Sequence, residues 1–220
     1  ILVGLAAERN LSHVLAGECD VADIIQITSG GLHVLPAASG IEWMANLTSD
    51  QKRAFLEKMD ALNGRYDILL VDTGAGISSN VTYFNLAAQT RVVIVTPEPT
   101  SLTDAYAVIK VLHRSYEQKA FEVVVNQVRD ENQGLEVFRS LTAVADRFLD
   151  VRLGYLGHIL QDPQLGKAVL RQTPLMKQAP HSPAAQCYGA IARRIANFAP
   201  PSSGNELGLF WRRMLDNALV

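Results

Sequence analysis

The stretch with the clearest chemical potential is an apolar run that ends in an acid and a glycine-rich turn. Ile68-Leu69-Leu70-Val71 leads into Asp72, and Thr73-Gly74-Ala75-Gly76 follows. An acid at the end of a buried strand can hold Mg²⁺ directly or through water, and glycines let the backbone approach a phosphate. The same acid can equally cap the turn that follows it. The pattern alone leaves both interpretations open.

Three further polar or turn-forming residues follow apolar runs. Asn126 ends the run that begins at Phe121, and Pro97 follows the run 91–96. Asp162 precedes Pro163 and fits the N-cap of a helix with Pro at its first position. Each has a plain structural explanation as well, because Asn can cap a strand end and Pro can shape a turn.

The elements that would position these residues alternate between strands and helices. The runs 67–72, 91–96 and 121–126 are apolar on both alternating sets, and a fourth run covers 153–158. Strands buried on both faces look like this in a parallel sheet covered by helices. Helical patterns separate the runs, one of them opened by the capping-box sequence of Thr48 and Gln51. The sequence therefore predicts a doubly wound α/β domain. The segments 24–28 and 32–36 predict a hairpin or strand edge ahead of it.

Composition limits the function classes. The chain has 220 residues, of which 48% are hydrophobic and 19% charged, and its net charge is −2. That balance argues against a protein whose main task is gripping nucleic acid. Cys19 and Cys187 are far apart and have no partner at metal-ligand spacing, which favours two reduced cytoplasmic thiols and no zinc site. No run is long and apolar enough to span a bilayer.

The C-terminal end predicts a linker and an amphipathic helix. We place a domain at 1–197, a linker at 198–205 and the helix at 206–220. A helix here stacks one apolar stripe, made of Leu207, Phe210, Trp211, Met214 and Leu215. Such a helix can lie in a membrane interface, or it can dock on the domain or on a partner. Both interpretations stay open.

The acidic turn also carries a family resemblance. Asp72-Thr73-Gly74-Ala75-Gly76-Ile77 resembles the Walker B and switch II segment of FlhG-type flagellar number regulators, which belong to the MinD/ParA class of ATPases. MinD relatives more often have Pro where Gly74 stands. Segments similar to the family occur in family order over nearly all of residues 1–197, at 10–15, 35–42, 66–77, 96–106, 124–128 and 162–175.

The resemblance implies roles for specific residues. Asp72 would help hold the Mg²⁺ shell, and Thr73, Gly74, Ala75 and Gly76 would form a switch that senses the γ-phosphate of ATP. Asn126 would bond the adenine edge, while Pro97 and Asp162 would border the base and ribose. The implied cofactors are ATP or ADP with Mg²⁺. The implied partners are a second copy of the chain, the flagellar GTPase FlhF, flagellar switch-complex components and the inner-membrane surface.

One departure from the family governs what this chain can do. The sequence Gly-x-x-x-x-Gly-Lys-[Ser/Thr], whose backbone and Lys cradle phosphates, occurs nowhere. We therefore expect a P-loop-type fold that lacks its first βαβ portion and has an open slot in its sheet, and we assign no catalytic residue. The chain would be a piece of such an ATPase, expected to be inactive alone. A non-catalytic adaptor, or a septum-site or partitioning ATPase, are the alternatives.

Overall fold

The computed structural model describes residues 5, 7–28, 30–37, 47–198 and 206–217. The strands are β1 (Gln26–Ile27), β2 (His33–Val34), β3 (Val92–Val95), β4 (Ala120–Val128) and β5 (Arg152–Leu160). The helices are α1 (Leu11–Leu15), α2 (Val21–Ile24), α3 (Ser49–Asp60), α4 (Ser79–Ala87), α5 (Pro99–Tyr116), α6 (Glu131–Phe148), α7 (Pro163–Leu170), α8 (Leu175–Gln178), α9 (Pro183–Phe198) and α10 (Glu206–Asn217). None of these helices has the length and apolar character needed to cross a bilayer.

A parallel sheet in the order β3-β4-β5 forms the centre of the fold. Helix α5 connects β3 to β4, and α6 connects β4 to β5, which gives two successive βαβ units. The alternation of side chains along β4 explains how both faces are covered. Val123 and Val125 pack into the cluster that contains residues of α5 and α6, whereas Val124 packs with residues of α7, α8 and α9. The three strands predicted at 91–96, 121–126 and 153–158 are confirmed, as is the α/β class.

The N-terminal hairpin and the capping box are also confirmed. Strands β1 and β2 pair in antiparallel fashion, with Gln26 opposite Val34. Thr48 caps α3: the N–H of Gln51 donates to Thr48 Oγ1 at 3.3 Å, and the N–H of Thr48 donates to Gln51 Oε1 at 2.9 Å. This reciprocal pair satisfies two amides at the start of α3.

The strand predicted at 67–72 is wrong. This run is neither strand nor helix, and Leu70 is 74% exposed. A strand exists only when its backbone finds a ladder partner, and none of the described strands pairs with this run. One edge of β3 likewise has no partner among the described strands, and Ile94 on that strand is 62% exposed. The open slot expected in the sheet stays a prediction.

Helix α10 is docked on the domain. Phe210, Trp211, Met214 and Leu215 are buried in one cluster with residues of α1, α2, α3 and α4, and Leu207 packs against that cluster. The Trp211 ring meets the Phe55 ring edge-on, with centroids 5.8 Å apart. Among the arrangements that the sequence left open for the stripe, the structure therefore shows docking on the domain. Most of the predicted linker lies outside the described residues, and residue 198 belongs to α9.

Candidate functional site

Three of the predicted site residues lie at one edge of the sheet. Pro97 follows β3, Asn126 lies near the end of β4, and Asp162 follows β5. Because the strands are parallel, with Val95 beside Val125 and Val125 beside His158, their carboxyl ends share that edge. Ligands bind at this edge in open α/β sheets.

Hydrogen bonds join the end of β4 to the segment that follows β5. The N–H of Gln127 donates to Asn126 Oδ1 at 2.9 Å, and Gln127 adopts a left-handed φ of 59°. Gln161 Nε2 then donates to the backbone oxygen of Gln127 at 3.1 Å. Sequence reasoning missed Gln161, although a polar residue between an apolar strand and an N-cap acid was the available signal. The Asn126 side chain is thus held at the carboxyl edge through its oxygen.

Asp162 caps two helices at once. The N–H of Gln164 donates to Asp162 Oδ1 at 2.8 Å, and the N–H of Ala184 donates to Oδ2 at 3.1 Å. A hydrogen bond from the Ser182 side chain, followed by these backbone amides, lowers the pKa of the Asp162 carboxyl group. The predicted N-cap is confirmed. Its predicted place beside a ribose stays a prediction, because both oxygens already have partners in the helix starts.

The acidic turn lies outside the sheet. Asp72 is exposed, and among the described residues no hydrogen bond or ion pair joins Asp72–Gly76 to Pro97, Asn126 or Asp162. Gly76 has a left-handed φ of 93°, and neither Gly74 nor Gly76 has a heavy atom within 4 Å of where a Cβ would stand. An exposed carboxylate and an open glycine turn are compatible with Mg²⁺ and a phosphate. The structure does not assemble this turn with the other three residues.

An apolar groove, which we call the strand-edge groove, lies between the run 66–71 and the start of β3. It has a volume of about 340 Å³, and its lining includes Phe84, Ile195 and Phe198. The groove reaches Thr73 but does not include Asp72 or Asn126 in its lining. It therefore lies beside the start of β3 and does not unite the predicted nucleotide residues.

Two cations that sequence reasoning missed line the same groove. Arg91 and Arg213 both face it. Burial lowers the pKa of the Arg91 guanidinium, and the like charge of Arg213 lowers it further. Arg91 Nε is buried and has no hydrogen-bond partner in the part of the chain that the structure describes. No pattern in the sequence could have predicted that these residues are neighbours, because they are far apart in the chain and meet only when α10 docks.

Comparison with known proteins identifies relatives along almost the entire chain. No family model matches it. Over 218 residues the chain is 37% identical to the antiactivator FleN of Pseudomonas aeruginosa, and the match covers 99% of this chain and 78% of that protein. It is 28% identical over 193 residues to the flagellum site-determining protein YlxH of Helicobacter pylori, which covers 87% of this chain and 65% of that protein.

Solved structures of MinD share the fold. The cell division ATPase MinD of Pyrococcus furiosus superposes with a TM-score of 0.66 at 25% identity, covering 90% of this chain and 80% of that one. MinD of Pyrococcus horikoshii, solved in complex with Mg-ADP, gives a TM-score of 0.64 at 24% identity, covering 91% and 80%. These comparisons confirm the P-loop NTPase type of fold and the family resemblance. The chain belongs to the FlhG family, which includes FleN and YlxH, within the MinD/ParA class of P-loop ATPases.

Proposed function

We propose that this chain carries most of an ATP-dependent, dimerising switch that regulates the number or placement of flagella. The match to FleN over nearly the whole chain carries the proposal. The match to YlxH, a flagellum site-determining protein, points to the same process. The switch would act through a nucleotide bound at the carboxyl edge of the sheet.

Each candidate residue has a distinct part in this proposal. Asn126 would bond the adenine edge from the end of β4, with Pro97 and Asp162 bordering the base and ribose. Asp72 would hold the shell of a Mg²⁺ ion, which supplies positive charge to the phosphates when it is bound. The turn from Thr73 to Gly76 would change conformation with the state of the γ-phosphate.

The chain alone is expected to bind ATP weakly and not to hydrolyse it. None of its residues forms the Gly-x-x-x-x-Gly-Lys-[Ser/Thr] loop that encloses phosphates with backbone N–H groups and a Lys. The measurement is phosphate release by the purified chain, with Asp72→Ala as the control. Turnover above that control would contradict this part of the proposal.

The proposed partners follow from the family. They are a second copy of the chain, the flagellar GTPase FlhF, components of the flagellar switch complex and the inner-membrane surface. We propose a cytoplasmic protein that meets the membrane from that side, and we expect no direct contact with nucleic acid.

The physiological test uses substitutions at the native chromosomal locus. Asp72→Ala should change the number of flagella per cell counted by electron microscopy, because it removes the proposed Mg²⁺ residue. Asp67→Ala, which changes an exposed acid in the same run, is the matched control and should leave the number unchanged. A flagellar role would be refuted if both variant strains and a deletion strain had the same number of flagella as the parent strain.

A septum-site ATPase is the second candidate. The chain is 31% identical over 147 residues to a putative septum site-determining protein MinD of Emiliania huxleyi, and that match covers 66% of this chain and 52% of that protein. For this candidate, deletion should produce misplaced division septa and leave flagellar number unchanged. A non-catalytic adaptor would tolerate Asp72→Ala. In that case the substitution should change neither the placement of septa nor the number of flagella.

A further inference from the structure

The strand-edge groove combines an apolar wall with two positively charged side chains. Phe84, Phe198 and Phe210 contribute to the wall, and the volume of about 340 Å³ is within the range of small-molecule sites. Arg91 and Arg213 are the only cations among its described lining residues. An apolar pocket into which a few polar groups converge is the usual form of a ligand site. Such a pocket selects a ligand that has an apolar body and a negatively charged end.

The two guanidinium groups have no acidic partner within the described part of the chain. No ion pair there involves Arg91 or Arg213, although both line the groove. Asp67 is the only acid among the described lining residues, and it is exposed and pairs with neither arginine. Arg91 Nε is buried, and no described residue accepts a hydrogen bond from it. A buried donor of this kind costs free energy that an incoming acceptor would recover.

The two like charges lie close enough to affect each other. Burial lowers the pKa of the Arg91 guanidinium, and the charge of Arg213 lowers that pKa further. An anion between the two groups would be attracted by both and would offset their repulsion. A carboxylate suits this position, because its two oxygens match the planar fork of a guanidinium. Its single charge is also less costly to remove from water than the charge of a phosphate group.

We propose that the strand-edge groove binds a small molecule that has a carboxylate head and an apolar chain. The carboxylate lies between Arg91 and Arg213 and accepts the hydrogen bond that Arg91 Nε offers, while the chain lies along the apolar wall. Because Arg91 precedes β3 and Arg213 belongs to α10, the head group joins the domain to the terminal helix. The ligand therefore also strengthens the docking of α10. The site is independent of the proposed nucleotide site, since the lining of the groove includes neither Asp72 nor Asn126.

The test is a titration of the isotope-labelled chain with octanoate, followed by nuclear magnetic resonance. The Nε–H signal of Arg91, identified by its absence in Arg91→Gln, should shift and reach saturation as the carboxylate accepts its hydrogen bond. Acetate has the head without the chain, and octanol has the chain without the charge. Each should bind at least about tenfold more weakly than octanoate.

Substitutions on α10 provide a matched pair for the charge. Arg213→Gln should weaken octanoate binding about threefold, because it removes an exposed charge from the site. Arg212→Gln changes an exposed arginine that does not line the groove, and this variant should bind octanoate like the unaltered chain. Arg91→Gln, measured through the backbone signals of the lining residues, should weaken binding about tenfold because it removes the buried donor.

The outcomes decide the proposal in either direction. Far-ultraviolet circular dichroism confirms the fold of each variant, and Arg213→Gln, which changes an exposed side chain, serves if Arg91→Gln fails to fold. Octanol that binds as tightly as octanoate would overturn the proposal, because the groove would then accept apolar molecules regardless of charge. Equal effects of Arg212→Gln and Arg213→Gln would overturn it as well, since only the net charge of α10 would then matter. A titration without a saturable shift would also overturn it, and none of these outcomes bears on the flagellar proposal.

Discussion

Truncation of Met214 measures whether α10 is docked in solution. The Met214 side chain is fully buried among α3, α4 and α10 residues, whereas Leu209 on the same helix is 42% exposed. Met214→Ala removes three heavy atoms from this cluster, at about 0.8 kcal/mol each, and leaves a cavity, so we expect a loss of about 3 kcal/mol in the free energy of unfolding. Leu209→Ala should cost about 0.5 kcal/mol or less. Both changes alter helix propensity by similar small amounts.

The assay is urea unfolding followed by circular dichroism, together with Trp fluorescence in a Trp43→Phe background. With α10 docked, Trp211 is 3% exposed and its native emission should be blue-shifted relative to the unfolded chain. If α10 can undock before the domain unfolds, the loss from Met214→Ala cannot exceed the free energy of docking. Equal stabilities of Met214→Ala and Leu209→Ala, with red-shifted native emission of Trp211, would refute the docked arrangement.

Three further predictions concern local structure. Gly157→Ala should lower stability by about 2 kcal/mol, because φ is 152° and the added Cβ would lie 3.0 Å from Ile191 Cγ1. Gly166→Ala, which adds a Cβ in open space on α7, should raise stability by about 0.5 kcal/mol. Thermal melting compares the two variants. Thr48→Ala should cost about 1 kcal/mol in urea unfolding, since it breaks the capping box of α3. The lowered pKa of Asp162 predicts stability that is complete above its unfolded value, about 4, and is lost as pH falls through the lower folded pKa. Asp162→Asn should remove that acid-dependent part, so equal pH profiles of the two chains would contradict it.

Local signals account for the parts of the fold that the sequence predicted correctly. The runs that became β3 and β4 are apolar on both alternating sets, and the structure packs β4 against helices on both faces. The caps at Thr48 and Asp162 depend on residues within three positions of each other, so their sequence spacing was sufficient. The bond from Ala184 to Asp162 could not be predicted, because it joins residues that only the tertiary fold brings together.

The run 67–72 shows why a strand-like pattern is not sufficient. Its residues are as apolar as those of β3, yet strand formation requires a neighbour that supplies hydrogen bonds. The strand-edge groove separates this run from the start of β3. The residues of the predicted nucleotide site fall into two groups for the same reason. Strands of the sheet position Pro97, Asn126 and Asp162 at one edge. Asp72 instead follows the run 67–71, which is not part of the sheet.

The apolar stripe on α10 shows a different limit of prediction from sequence. Its spacing showed that one face of the helix is apolar but could not show what covers that face. In the structure this face is buried, and its burial brings two unfavourable features that the stripe did not reveal. Trp211 Nε1 is buried and finds no hydrogen-bond partner among the described residues, and Arg213 is brought beside Arg91. An unmet buried donor costs about 1–3 kcal/mol, and like charges oppose each other. Docking of α10 is therefore weaker than the burial of Phe210, Trp211, Met214 and Leu215 would provide without these two features.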